Sequence, residues 1–280
     1  MTNHDTNSRE SSGEQGTRNR DERATKSPSA GRRDVLKTGA ALGSLGVLSV
    51  ASSGTGAATL QSGSVPDGKA FDNLVGAYYY GWYGPDWHDG FHWDGDLDTA
   101  DGRSHTPTLG EYSSHDQAVV DQHIAWALQH GINWFNCTWW GPDGFEETTI
   151  LDYLLDSQHA DKMYFSALYE PKWRDWDWPD FSDSAVRDAL QTDLQHIEDT
   201  FFDDPNWLHV DGRPVVYFWI NRQFTGDVTG AFEEAISTLD TDPYIVGDNV
   251  THAEPFDAVA NFATVHSSTS DWDAYVANTE

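Results

Sequence analysis

The chain has 280 residues, with 16 Lys and Arg against 46 Asp and Glu, a formal net charge of −30 and one cysteine. A chain this acidic has no basic patch to neutralise phosphates, which excludes nucleic acid as a partner, and one thiol excludes an intrachain disulfide. The acids are spread along the sequence rather than gathered in a tail, the pattern of a surface adapted to high salt, where screening suppresses self-repulsion. The first thirty or so residues are polar and aperiodic, as a disordered leader is. Then Gly31-Arg32-Arg33-Asp34 precedes an apolar run from Thr38 to Ala58, which reads as a twin-arginine export signal. Glycines and serines interrupt that run and leave it short of a membrane span. The expected organisation is leader and signal over residues 1–58 and one barrel domain over 59–280. The product is secreted, with no stable membrane insertion after cleavage; a retained amino-terminal anchor is the alternative.

Leu74 to Tyr80 has the aromatic content of a buried strand, and Gly84-Pro85 turns the chain out of it. A long loop from Asp86 to Pro107 follows, with His88, His92 and His105 among several Asp. Its spacing lacks the glycine and terminal glutamate of a calcium loop and supplies no third zinc ligand, so no metal is expected. Ser114 and Gln117 have capping-box spacing ahead of a helix with a Val120, Ile124, Ala127 and Leu128 stripe, ended at Gly131. Ile132 to Trp140 reads as the second strand and Lys162 to Tyr169 as the third, separated by a helix over Thr149 to His159. The third strand ends in Glu170-Pro171 and the aromatic loop of Lys172, Trp173, Trp176 and Trp178. Ser182 caps the next helix, striped by Val186, Leu190, Ile197 and Phe201. Pro214 to Ile220 is the fourth strand, Val228 to Leu239 a helix, Tyr244 to Val250 the fifth strand. A weaker strand is expected near Asn261 to Val265 and a last helix over Trp272 to Asn278.

Strands alternating with helices, each strand ending in polar or aromatic residues, predict an α/β fold of the (β/α)8 TIM-barrel type. No glycine-rich phosphate fingerprint follows any strand, which argues against a doubly wound sheet. About five to six βα units are legible against the eight of a full barrel, so the barrel is expected to be incomplete at the carboxyl terminus.

Barrel enzymes place their sites at the carboxyl ends of the strands. The two-residue period puts Glu170, Leu168, Ser166 and Tyr164 on one face, Trp140, Thr138 and Asn136 on another strand's, and Asn221, Trp219 and Tyr217 on a third's. Tyr80 and Trp82 end the first strand with flat amphipathic rings, which suit the C–H faces of sugars. Glu170 is the candidate catalytic carboxyl, since its aromatic neighbours desolvate it and raise its pKa. Glu111, Glu146 and Glu254 lie at plausible loop ends without distinguishing context. A Ser-His-Asp site fails for want of a Gly-x-Ser-x-Gly elbow, and Cys137 within an apolar strand reads as an inert thiol.

Four segments carry a family resemblance. They are Tyr78-Tyr79-Tyr80-Gly81-Trp82-Tyr83-Gly84, then Leu109-Gly110-Glu111-Tyr112-Ser113-Ser114-His115-Asp116, then Gly131-Ile132 with Thr138-Trp139-Trp140-Gly141, and Tyr169-Glu170-Pro171. In this order and spacing the chain resembles glycoside hydrolase family 99, the endo-α-mannosidases and endo-α-mannanases. The resemblance implies a (β/α)8 barrel that cleaves α-mannosidic bonds inside a glycan with retention, without cofactor or metal. Its implied mechanism has the substrate's own 2-hydroxyl attack to form an anhydro-sugar. Glu170 would be the third-strand glutamate lining the site. The implied substrate-binding residues are Tyr78, Tyr80, Trp82, and Trp139 or Trp140, with Tyr169, Trp173, Tyr217 and Asn221 added from the strand ends. The partner is then an oligo- or polysaccharide. The family's two principal glutamates lie in an Asn-Glu-Trp-x-Glu-Gly-Thr-type motif that the 280 residues do not contain. Turnover by this chain alone is therefore not expected, and a carbohydrate-binding role without cleavage is the alternative.

Overall fold

The third strand decides the architecture, because β-rich residues alternate on it without a polar face. A parallel strand covered on both sides reads as such a continuous run. A computed structural model describes residues 64–84, 107–171 and 178–260, all within the unit Ala51–Glu280. The expectations for the leader, the signal, His88, His92, His105, Trp173, Asn261–Val265 and Trp272–Asn278 fall outside the described residues.

The strands are β1 (Gly76–Tyr79), β2 (Trp134–Trp139), β3 (Tyr164–Tyr169), β4 (His209–Val210), β5 (Arg213–Phe218), β6 (Tyr244–Gly247) and β7 (Ala258–Val259). Their sheet order is β1-β2-β3-β5-β6-β7, every neighbour parallel, with β4 paired antiparallel to β5 off this path. Each parallel strand lies beside the next one in the chain and the order never reverses. A doubly wound sheet reverses at its switch point; a barrel advances in one direction. The fold is of the (β/α)8-barrel type, a curled parallel sheet with its helices on one face. Two short strands were not legible in the sequence. One is β4, folded back through Asp211 (φ 53°) and Gly212 (φ 80°); the other is β7, two residues long.

Helix α1 (Gln117–Gln129) buries Val120, Ile124, Ala127 and Leu128, and Gly131 at φ 83° ends it in the left-handed region as expected. Its cap differs from the expectation: Asp116, not Ser114, accepts from the Ala118 N–H at 2.9 Å. Ser114 instead ties the chain to the end of β1, its hydroxyl accepting from the Tyr83 N–H at 3.2 Å. Helix α2 (Phe145–Thr148) runs on as π-helical turns over Thr149–Leu154, so it starts earlier than the pattern suggested. Helix α3 (Ser184–Ile197) is capped by Asp183 rather than Ser182 and continues as a π-helical stretch, Glu198–Phe202. Helix α4 (Val228–Ile236) is capped by Asp227.

Two apolar layers result. The larger lies between helices and sheet and holds Phe135, Cys137, Trp139, Phe165, Ala167, Tyr169, Val216, Phe218 and Ile245. The smaller lies on the concave face and gathers Val215 and Val246 with Trp134, Tyr164, Tyr217 and Tyr244. Alternation along each strand is what sorts residues between them. Among the described residues no helix is long and apolar enough to cross a membrane.

Candidate active site

Strand register builds the site. Trp139 pairs with Tyr169, Tyr169 with Phe218, and Phe218 with Gly247. One residue further along each strand stand Trp140, Glu170, Trp219 and Asp248, a row at the carboxyl ends on the parity of the concave face. The row continues in hydrogen bonds past the regular ladder: the Glu170 N–H donates to Trp139 O at 3.1 Å, and the Trp219 N–H to Tyr169 O at 2.9 Å. The Asp248 N–H donates to Phe218 O at 3.2 Å.

Glu170 is 6 % exposed. The Thr138 hydroxyl donates to its Oε1 at 2.5 Å. Burial pushes the Glu170 carboxyl up to about 7, helped by the charge of Glu146 and opposed by hydrogen bonds from Thr138 and Trp140. Glu170 thus holds a proton near neutrality, the condition for exchanging it with a substrate oxygen. Tyr80 stands close enough that the Glu170 charge, after burial, is the next cause raising its phenol. The Tyr80 ring stacks on Trp82 at 4.7 Å between centroids, and Trp82 leans on Trp140 at 5.4 Å. Three amphipathic rings therefore border one desolvated carboxyl.

Beneath this level a polar cluster joins β2 and β3 on the concave face. The Trp134 Nε1–H donates to Ser166 Oγ at 2.9 Å, and the Ser166 hydroxyl to Asn136 Oδ1 at 2.9 Å. Tyr78, one of the exposed large hydrophobic residues, pairs in register with Asn136 on β2. Tyr217 lies deeper than Glu170, in register with Leu168 and 5.4 Å from the Trp134 ring.

The structure parts the remaining candidates from this row. Trp139 is fully buried on the helix face, its Nε1–H donating to Glu147 Oε1 at 3.1 Å. Tyr169 is 2 % exposed on the same face, and its hydroxyl donates to Asp193 Oδ2 at 2.5 Å. Neither ring can reach a sugar from there, so both pass to sheet–helix packing; the parity that put Glu170 at the mouth dictates it. Asn221 is fully buried, and its amide donates to the carbonyls of Asn249 at 2.9 Å and Thr251 at 2.6 Å. Its described side-chain bonds are to the loop after β6. Glu111 and Glu254 are exposed. Glu146, in the first turn of α2, is 4 % exposed and is the exception, standing near enough to Glu170 for its charge to raise that carboxyl. Cys137 is buried and its thiol is pushed up by burial, as an inert core thiol is. Among the described residues no group of three or more His, Cys, Asp or Glu is placed to hold a metal ion.

Residues 94–227 match the family model Glycosyl hydrolase family 99. The curated glycoprotein endo-alpha-1,2-mannosidase of Rattus norvegicus is 31 % identical over a match covering 35 % of this chain and 27 % of the rat protein. Residues 94–227 of the chain are therefore glycoside hydrolase family 99-like. Two solved structures of the GH99 endo-alpha-mannosidase from Bacteroides thetaiotaomicron share its fold. One, in complex with BIS-TRIS-propane, has TM-score 0.54 and 20 % identity over 75 % of this chain and 65 % of that one. The other has TM-score 0.53 and 20 % identity over 74 % and 67 %. The chain thus spans about a quarter of the length of its curated relative. Within the family 99-like stretch lie Trp140, Glu170 and Trp219. Asp248 lies past it, and sequence reading missed it: the signal was its parity with Val246, which acquires meaning only once the register with β5 is known. Trp219 was on the predicted face but not among the expected site residues. The Glu147–His196 contact, 2.6 Å across the helix layer, carried no sequence signal at all.

Proposed function

We propose that the concave mouth of this family 99-like chain takes an α-linked, mannose-containing glycan, with the sugar stacked on Tyr80, Trp82 and Trp140. The observation that carries this reading is Glu170, a buried carboxyl held at about 7 beside those rings. Protonated, it donates to a sugar oxygen; ionised, it accepts from a hydroxyl, so one group serves both directions of proton transfer. Relatives named as endo-α-mannosidases support the mannose assignment. The test measures binding of α-mannan oligosaccharides and their release from α-mannan, for the chain and for Glu170→Gln. Loss of turnover by about a hundredfold or more in the variant is expected where acid–base help is at work; wild-type binding and turnover would remove Glu170 from the site.

The second reading is glycan binding without cleavage, carried by the ring platform of Tyr80, Trp82 and Trp140 alone. Tight oligosaccharide binding with no product release over long incubation distinguishes it. Export by the twin-arginine route and a salt-adapted surface complete the proposal, motivated by Arg32-Arg33 and the net charge of −30. Arg32→Lys with Arg33→Lys is expected to retain the protein in the cell, and unchanged secretion would refute the route. Melting temperature is expected to fall as salt is removed, because the Debye length grows from about 3 Å at 1 M to about 30 Å at 0.01 M; a flat profile would refute the surface reading.

A further inference from the structure

Asp248 stands in register with Glu170 on the row at the strand ends, two strands away across β5. With neighbouring strands spaced about 4.8 Å apart, the two backbones are roughly 10 Å apart, the span of about two linked sugars. Asp248 is 1 % exposed. Its Oδ1 accepts from the Asn221 backbone N–H at 3.0 Å, and the Ile220 backbone N–H also acts on the carboxyl. Its Oδ2 is buried and has no hydrogen-bond partner. A buried acceptor without a donor costs about 1–3 kcal/mol, so the native fold retains it against a penalty.

The backbone beside it carries a second cost. Ile220 sits at φ 51° and ψ 43°, a left-handed conformation that a β-branched residue takes at about 1–3 kcal/mol. That turn delivers the Asn221 N–H to Asp248. It also delivers Arg222, whose Nη1 lies 3.9 Å from Asp248 Oδ2 and whose side chain is 38 % exposed. The gap is too long for a hydrogen bond. It is short enough for one oxygen about 2.8 Å from each group to bridge it, accepting from the guanidinium and donating to the carboxylate. A hydroxyl has this dual character, and Arg222, reaching solvent, is the group that gives way to admit it.

We propose that Asp248 and Arg222 form a hydroxyl-clasping subsite at the β5–β6 corner of the mouth, one sugar away from Glu170. The proposal rests on the glycan reading above. It assigns to this pair the preference for a ligand longer than one sugar; Asn221 acts as a positioning residue through its backbone N–H and the loop carbonyls it holds.

The test is a length series, mannose and α-linked mannose oligomers of two to four units, titrated calorimetrically into the wild-type chain, Asp248→Asn, Arg222→Ala and Glu170→Gln. Wild type is expected to gain affinity as the ligand grows past one sugar. Asp248→Asn and Arg222→Ala are expected to lose about tenfold or more for the longer oligomers and less than about twofold for mannose. Arg222 is exposed, so its variant keeps the test valid should Asp248→Asn fail to fold. Unchanged affinity of Arg222→Ala at every length overturns the subsite, and with Glu170→Gln impaired in the same series the glycan reading stands without it. A wild type that binds no member of the series overturns both.

Discussion

Buried acids on the two faces of this sheet live under opposite rules. On the helix face Glu147 accepts from the Trp139 indole at 3.1 Å, the Asp143 N–H at 2.7 Å and His196 at 2.6 Å. Asp193, on the same face, accepts from the Tyr169 hydroxyl. At the mouth, burial raises the carboxyls of Glu170 and Asp248, and one Asp248 oxygen has no hydrogen-bond donor. A structural acid is one the fold has saturated; an acid kept for a ligand retains capacity at a cost in stability. In a chain with 46 acids, this saturation, not acidity, marks the candidates.

The adjacent tryptophans at the end of β2 give the largest test of that division. Trp139 is fully buried and Trp140 only half-buried. Trp139→Ala is expected to cost about 3–5 kcal/mol, since it empties a core site and strands a bond to Glu147. Trp140→Ala is expected to cost far less in stability while weakening oligosaccharide binding roughly tenfold through lost stacking. Chemical denaturation and calorimetric titration of both variants decide it. Equal stability losses would mean that the two faces are not distinct.

Next in size is the pH dependence of Glu170. Its folded pKa of about 7 lies above its ordinary value of 4.5, so between those values the folded state binds more protons than the unfolded one. Stability from this group is fully present below about 4.5 and is lost as pH rises through 7. Glu170→Gln removes the buried charge. Relative to wild type it is expected to be nearly neutral near pH 4 and stabilising by roughly 3 kcal/mol at pH 8. A pH-independent difference in denaturation midpoint would show that Glu170 is not held protonated.

Much of this division was legible from parity. The period of two placed Asn136, Thr138 and Trp140 together, and likewise Ser166, Leu168 and Glu170, and the register aligns these sets on neighbouring strands. The same rule excluded Trp139 and Tyr169, which the family likeness and the position beside Glu170 had proposed for the sugar. Parity was the better guide because a strand cannot show both of two adjacent residues to one face. Asp248 escaped because β6 is four residues long and its meaning depends on pairing with β5, a nonlocal fact. The two-residue strands β4 and β7 escaped for the same reason. The π-helical turns after α2 and α3 leave no periodic signature over five or six residues.

The smallest effect falls where the two rules meet, at the mouth end of α3. Asp183 is exposed, and its Oδ1 accepts from the Ala185 N–H at 2.9 Å, which makes it the helix cap. Ser182, the residue that sequence pattern favoured, instead donates its hydroxyl to Asp180 Oδ1 at 2.8 Å. Both acids therefore do backbone and turn work despite standing near the strand ends. An aspartate cap lost to alanine costs about 1 kcal/mol, because an orphan N–H at the helix start loses its acceptor. In a folded unit of about two hundred residues that lowers the melting temperature by roughly 2–4 °C. Ser182→Ala, which removes only an exposed hydroxyl bond, is expected to shift it by less than half as much. Neither variant should alter oligosaccharide affinity by as much as twofold. The informative failure is Asp183→Ala with an unchanged melting temperature and weakened glycan binding. A saturated, capping acid would then be serving the ligand, and saturation would no longer separate structural acids from functional ones in this protein.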